Sequence, residues 1–195
     1  MREPLHGAHF IFAETAHERL PIAEAEVVFI GRSNVGKSSV LNAITNNRTL
    51  ARVSKTPGAT RTINIYEVKP RKWLVDLPGY GYAVGPERER NYWPEMIGRY
   101  LLERQSLKCV YLLVDADVGT SKTDVLMGQW LTQKNIPFQI VATKSDKIGR
   151  EKQIQNRAQI AAQLGLLPED VLLVSAKKNY GIPILQRDVI KELAV

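Results

Sequence analysis

The sequence predicts an α/β protein with a six-stranded, mostly parallel sheet and helices on both faces. Short apolar, β-branched segments alternate with segments of helical periodicity along almost the whole chain. This alternation is typical of parallel strands that are buried on both faces and joined by crossover helices. With 195 residues, the chain has the length of one ordinary domain.

The predicted strands lie at residues 26–31, 62–68, 72–76, 109–115, 137–143 and 170–175, and helical patterns lie near 37–46, 87–105, 121–134, 150–164 and 182–193. The turn at Lys69-Pro70-Arg71 is too short for a crossover helix, so we expect one antiparallel hairpin there. Residues 1–24 are predicted to form an N-terminal extension, with a candidate edge strand at GAHFIFAET, and residues 25–195 the main domain.

The composition excludes several classes of protein. Hydrophobic residues make up 44% of the chain and charged residues 24%, which is typical of a globular protein rather than a disordered one. No apolar run approaches the roughly 20 residues that span a bilayer, and the start MREPLHGAHF lacks the apolar core of a signal peptide. The one cysteine, Cys109, lies in an apolar strand pattern and is expected in the core. We therefore expect a cytoplasmic protein.

Basic residues are concentrated in one segment. The formal net charge is +7, and the segment from Arg48 to Lys72 holds seven basic residues against one acid, Glu67. Such a segment is either a solvated basic face or a surface that contacts a polyanion, for which RNA is the natural candidate.

A phosphate-binding motif follows the first predicted strand. Residues Gly31, Arg32, Ser33, Asn34, Val35, Gly36, Lys37 and Ser38 satisfy the pattern G-x-x-x-x-G-K-[ST], and Ser39 continues into the first helix. In this context successive backbone N–H groups cradle phosphates. Lys37 is expected to reach the β- and γ-phosphates of a nucleotide, and the Ser38 hydroxyl to bind Mg²⁺.

Two further motifs follow predicted strands. In Asp76-Leu77-Pro78-Gly79 the carboxylate can hold Mg²⁺ and the Gly79 N–H can sense a γ-phosphate. In Thr143-Lys144-Ser145-Asp146 the aspartate can accept two hydrogen bonds from guanine, whereas adenine presents no such pair of donors. The last strand leads into Val174-Ser175-Ala176, where a backbone N–H can reach the guanine O6. GTP or GDP is therefore the expected ligand.

These residues resemble the nucleotide-binding boxes of the translation-factor-like GTPases. Three longer segments, KTPGAT at 55–60, DLPGYGYA at 76–83 and MIGRYLLERQSL after Trp93, resemble the EngB family of small bacterial GTPases from about residue 22 onward. The resemblance implies a P-loop NTPase three-layer sandwich and a role in large ribosomal subunit assembly, cell division and septation. It also implies that Thr60 closes on Mg²⁺ and the γ-phosphate and that its neighbours Gly58, Ala59, Arg61 and Thr62 contact the nucleotide.

Within that family pattern, Lys37, Thr60, Gly79 and Asn34 are the expected catalytic residues. Tyr80 occupies the position where regulatory GTPases often place a glutamine that orients water, so slow intrinsic turnover is expected. Asn34 is a candidate ligand for K⁺, which would supply positive charge beside the phosphates. Tyr80 and the nearby Tyr82 are either core residues or exposed contacts for a partner.

The sequence therefore favours a monomeric GTPase switch that acts on the large ribosomal subunit, with RNA contacts through residues 48–72. Two alternatives remain: a P-loop nucleoside or nucleotide kinase, and a module that holds nucleotide without turnover. A kinase needs mobile lid segments with clustered arginines, and no such insertion is apparent.

Overall fold

The computed structural model describes residues 4–52, 62–80 and 87–195, without the side chains of residues 87–94. The strands are β1 (His9–Glu14), β2 (Ala25–Gly31), β3 (Ile63–Lys69), β4 (Lys72–Asp76), β5 (Leu107–Asp115), β6 (Phe138–Thr143) and β7 (Val171–Leu173). The longer helices are α1 (Lys37–Ile44), α2 (Glu87–Glu103), α3 (Lys122–Gln133), α4 (Arg150–Leu164) and α5 (Ile182–Leu193).

The seven strands form one sheet in the order β1-β3-β4-β2-β5-β6-β7. Strands β4, β2, β5, β6 and β7 are parallel to one another, and β3 is antiparallel to both of its neighbours. The predicted fold class and the hairpin between β3 and β4 are confirmed.

The strand count differs from the prediction of six because β1 pairs with β3 at the edge of the sheet. The register shifts between Phe10 and Phe12, and no side chain of β1 is fully buried. A strand that is exposed on both faces lacks the alternation of buried and exposed residues by which a half-buried strand is recognised.

Side chains of the central strands alternate between two hydrophobic cores. On β2, Val28 and Ile30 face a core that includes residues of α2, α3 and α4, whereas Val27 and Phe29 face a core that includes residues of α1 and α5. The sheet is therefore covered on both faces, and its strands read as continuous apolar runs. Cys109 of β5 lies in the second core, where burial raises the pKa of its thiol to about 12.

The segment before β2 is tied to the rest of the fold. Leu5 is fully buried in the core beneath α1 and α5. The His17 ring lies between two glutamates, with Nε2 2.7 Å from Glu103 Oε2 and Nδ1 3.3 Å from Glu18 Oε2. Arg99 pairs with both of these carboxylates. Arg99 thus balances the charge of the two carboxylates that contact His17, and these pairs tie the segment before β2 to the end of α2.

Candidate functional site

The phosphate-binding motif forms a tight loop between β2 and α1. Gly31 ends β2 so close to β5 that a Cβ atom would lie 2.8 Å from the carbonyl oxygen of Leu113. Gly36 has φ = +105°, a conformation that favours glycine, and α1 begins at the next residue. The two glycines of the pattern are therefore required by the backbone.

The loop offers unused hydrogen-bond donors. No acceptor among the described residues takes the backbone N–H groups of Asn34, Gly36 and Lys37. They precede or begin α1, whose N-terminal end carries a partial positive charge. Donors of this kind suit a phosphate group.

Lys37 and Asp76 form a buried ion pair between the loop and the carboxyl end of β4. Lys37 is 7% exposed and Asp76 2% exposed, so each charge depends on the other in the protein. The pair places an ammonium group and a carboxylate side by side, and the half-buried Ser38 follows in α1. The Lys37 ammonium can pair with a phosphate, and the Asp76 carboxylate and the Ser38 hydroxyl offer the oxygen ligands that a hard cation prefers. This set of groups fits a nucleotide with Mg²⁺.

The residues after β4 lie against the loop. Leu77 N–H donates to the Phe29 carbonyl oxygen at 3.2 Å, Tyr80 N–H donates to that of Gly31 at 3.2 Å, and Ser33 N–H donates to that of Tyr80 at 3.3 Å. A Cβ atom on Gly79 would lie 3.0 Å from Ser33 N. The half-buried Gly79 thus directly abuts the phosphate-binding loop, and Pro78 beside it is buried.

Thr143 and Lys144 brace the loop from β6. The Thr143 hydroxyl lies 2.6 Å from the Val35 carbonyl oxygen and 3.1 Å from that of Val114. Lys144 Nζ donates to the Asn34 carbonyl oxygen and to Asp115 Oδ2, both at 2.7 Å. Because the short threonine hydroxyl reaches the Val35 carbonyl oxygen, Thr143 supports the loop directly from the end of β6.

Asp115 is a site residue that our sequence interpretation missed. Burial raises the pKa of its carboxyl group, but hydrogen bonds from Lys144 and from the backbone N–H groups of Asp117 and Val118 outweigh this and lower the pKa overall. The carboxylate therefore stays charged and holds Lys144 across the loop. Its position as the last residue of a predicted strand was the available signal.

The expected base-reading residues lie together. Ser175 Oγ donates to Asp146 Oδ1 at 2.5 Å, and Ser145 N–H donates to the Val174 carbonyl oxygen at 3.1 Å. Ser175 is buried, Ala176 is half-buried and Asp146 is exposed, so the aspartate is accessible to a ligand. The hydroxyl of Ser175 orients the carboxylate for that ligand.

Some predicted site residues lie outside the described residues, namely Gly58, Ala59, Thr60 and Arg61, together with Tyr82. Thr62 is described, and its hydroxyl donates to Asn64 Oδ1 at 3.0 Å. Ser39 is half-buried in α1.

Tyr80 is a buried residue and not an exposed contact. It is 7% exposed, and its hydroxyl donates to Asp124 Oδ1 at 2.8 Å. Burial and the Asp124 carboxylate raise the pKa of Tyr80 well above its usual value, so the hydroxyl keeps its proton. Arg32 Nε lies 3.0 Å from Asp124 Oδ2 and forms an ion pair, although its N–H is not directed at the carboxylate. Sequence reasoning also missed Asp124; its available signal was the helix-capping pattern Ser121-x-x-Asp124.

Comparison with known proteins identifies the family. A family model described as 50S ribosome-binding GTPase matches residues 26–144. A probable GTP-binding protein EngB from Geobacter sulfurreducens is 40% identical over 176 residues, which are 90% of this chain and 85% of that protein. The protein of the same name from Pelotomaculum thermopropionicum is 48% identical over 157 residues, 80% of this chain and 79% of that one.

A crystal structure of a probable GTP-binding protein engB has the same fold, with a TM-score of 0.69, 26% identity, and coverage of 87% of this chain and 99% of that one. None of the helices in the described part of the chain has the length and apolar composition needed to cross a membrane. The chain therefore belongs to the EngB family of P-loop GTPases.

Proposed function

We propose that this GTPase is a cytoplasmic, monomeric switch that binds Mg²⁺ and GTP, hydrolyses GTP to GDP and phosphate, and assists assembly of the large ribosomal subunit. The observation that carries the proposal is that Asp76 ends β4 while Lys37 and Asp146 follow β2 and β6, and the carboxyl ends of these three parallel strands meet at one edge of the sheet. Ligands of open α/β sheets bind at that edge. The accompanying role in cell division, and the division of the chain at residue 25, stay predictions.

Each part of the nucleotide has a proposed partner. Residues 31–39 would bind the phosphates through backbone N–H groups and the Lys37 ammonium, and Asp146 with the backbone of Ser175 and Ala176 would read the guanine. Ser38, Thr60 and Asp76 would hold Mg²⁺, which supplies positive charge beside the β- and γ-phosphates when it is bound. For this, the ion pair between Lys37 and Asp76 would separate when the nucleotide binds. Lys37 would then pair with the phosphates, and Asp76 would face the metal ion.

We also propose that Asn34 holds K⁺ beside the phosphates. Its side chain is exposed, and the residue has φ = 64°. Hydrolysis is expected to be at least about tenfold faster in K⁺ than in Na⁺ at equal ionic strength, because a fixed positive charge stabilises the transition state. Asn34→Gly removes the side chain and tolerates the positive φ, so it should abolish the difference between the two salts. Equal wild-type rates in K⁺ and Na⁺ would contradict this assignment.

The basic residues support a ribosomal RNA partner, but they are not all near the nucleotide. Strand β4 runs from Lys72 towards the phosphate-binding loop, and α1 runs away from that loop towards Arg48. Lys69, Lys72 and Arg48 therefore lie towards the opposite edge of the sheet. Lys72 donates to the Ala194 carbonyl oxygen at 2.7 Å and Arg71 pairs with Glu24. Among the basic residues of this segment that the structure describes, this leaves Arg48, Arg52 and Lys69 as the exposed ones best suited to phosphates.

Sedimentation with purified large subunits tests this function. We expect binding to be about 5–150-fold tighter with a non-hydrolysable GTP analogue than with GDP, since allosteric coupling typically falls in that range. Binding should weaken steeply with salt because each RNA phosphate that is neutralised releases counterions. The double variant Arg48→Ala/Arg52→Ala should flatten the salt dependence and leave GTP affinity unchanged.

The matched control is Lys122→Ala/Lys134→Ala, which removes the same charge from exposed positions at the two ends of α3. This variant should retain the salt dependence of the wild type. Equal binding to the large subunit in the GDP and analogue states would refute the proposed nucleotide-dependent switch. Equal salt dependence of binding in the two double variants would show that residues 48 and 52 are only a solvated face.

A further inference from the structure

The Asp124 carboxylate joins three parts of the protein. It lies in the first turn of α3 and is fully buried. Oδ1 accepts the Tyr80 hydroxyl at 2.8 Å, and Oδ2 accepts the backbone N–H of Ser121 at 2.7 Å and its hydroxyl at 2.8 Å. Arg32 Nε lies 3.0 Å from Oδ2. One side chain thus contacts the phosphate-binding loop, the residue that follows Gly79, and α3.

Helix capping explains only part of this arrangement. Asp124 and Ser121 form a capping box, which satisfies two backbone N–H groups at the start of α3. A capping box functions on the surface and needs neither a tyrosine nor an arginine. Burial of a carboxylate is costly unless the charge is paired and hydrogen-bonded, and here Arg32 and Tyr80 supply those partners. The capping box therefore leaves the contacts of Asp124 with Arg32 and Tyr80 unexplained, and these contacts indicate a second role for Asp124.

The contact with Tyr80 restrains the backbone beside the nucleotide site. The Tyr80 N–H and carbonyl groups already bond to Gly31 and Ser33 of the loop, and Gly79 packs against Ser33. The side-chain hydrogen bond to Asp124 adds a third attachment on the far side of the same residue. Because Tyr80 directly follows Gly79, its three attachments limit the positions that the Gly79 N–H can adopt relative to Ser33.

We propose that Asp124 is a positioning residue for GTP hydrolysis: through the Tyr80 hydroxyl and Arg32 it fixes the Gly79 N–H against the phosphate-binding loop, where a γ-phosphate would meet it. Tyr80 then acts as an anchor at the position where regulatory GTPases often carry a water-orienting glutamine. The inference rests on the proposed function, and wild-type turnover of GTP is therefore measured first. A failure of the proposed function appears in the wild type, whereas a failure of this inference appears only in the variants.

The test compares Tyr80→Phe, which removes one hydroxyl, with Asp124→Asn, which removes the charge and keeps the shape. We expect kcat to fall by about 10- to 100-fold in each, with GDP affinity changed by less than about twofold, because the lost interaction serves the transition state. Since the two residues act as a unit, the double variant Tyr80→Phe/Asp124→Asn should have the same kcat as Asp124→Asn alone.

Ser121→Ala is the matched control, because it removes the capping hydroxyl, and with it one hydrogen bond to Asp124 Oδ2, but keeps the Asp124 charge and its contacts with Arg32 and Tyr80. Its Tm should fall by about 2–4 °C while its kcat stays at the wild-type value. Wild-type kcat in Tyr80→Phe and Asp124→Asn would overturn the proposal. A loss of kcat in Ser121→Ala equal to that in Asp124→Asn would also overturn it, since Asp124 would then act only through the stability of α3.

Discussion

Replacement of Asp146 by asparagine is expected to weaken GTP binding by about 2–4 kcal/mol, or roughly 30- to 1000-fold. The carboxylate can accept hydrogen bonds from both N1–H and the exocyclic amine of guanine, and Ser175 Oγ holds it in place at 2.5 Å. An asparagine offers one acceptor and turns a donor towards the base. Xanthine carries an oxygen where guanine carries its amine, so the variant should gain relative affinity for xanthosine nucleotides.

Equilibrium titration with labelled GDP, GTP and xanthosine diphosphate measures this change. Glu169→Gln is a charge-matched control, because Glu169 is exposed just before β7, at the end of that strand away from Ser175. The control should bind all three nucleotides as the wild type does. Unchanged GTP affinity in Asp146→Asn would mean that another residue reads the base.

Removal of the Lys37 ammonium is expected to lower the free energy of unfolding of the nucleotide-free protein by about 3–5 kcal/mol. Lys37→Ala leaves the Asp76 carboxylate, which is 2% exposed, without its counter-charge. The double variant Lys37→Ala/Asp76→Ala has no uncompensated charge, and it should therefore recover part of the loss. Both variants should lose nucleotide affinity, since phosphate binding needs the ammonium.

Urea unfolding without nucleotide separates these effects. The expected order of midpoints is wild type, then the double variant, then Lys37→Ala. A Lys37→Ala variant as stable as the wild type would show that the buried pair does not form in the free protein, and that Lys37 serves the nucleotide alone.

The sequence predicts most of the sheet and the phosphate-binding loop because these depend on local patterns. The continuous apolar runs of β2 and β5 follow from burial on both faces, and the two glycines of the loop are set by φ and by close approach to β5. Strand β1 has no such signal. Its pairing with β3 bridges more than 50 residues of sequence (His9 opposite Glu67), and its side chains are largely exposed.

The supporting carboxylates could not be assigned from sequence because their partners are distant. Lys144 follows Asp115 by 29 residues, and Asp124 follows Tyr80 by 44 residues. A strand-end acid and a capping aspartate are visible as local features, but only the fold reveals what else they touch. The same limit applied to Tyr80, for which a core position and a partner contact were equally consistent with the sequence.

Competition between GTP and ATP for the wild-type protein tests the central claim most directly. With Mg²⁺ present, GTP should displace labelled GDP at a concentration about 100-fold or more below that needed for ATP, because Asp146 would face an acceptor and not a donor in adenine. Phosphate should then be released from GTP and not from ATP. Equal displacement by the two nucleotides, or a preference for ATP, would contradict the assignment of this edge of the sheet as a guanine-nucleotide site.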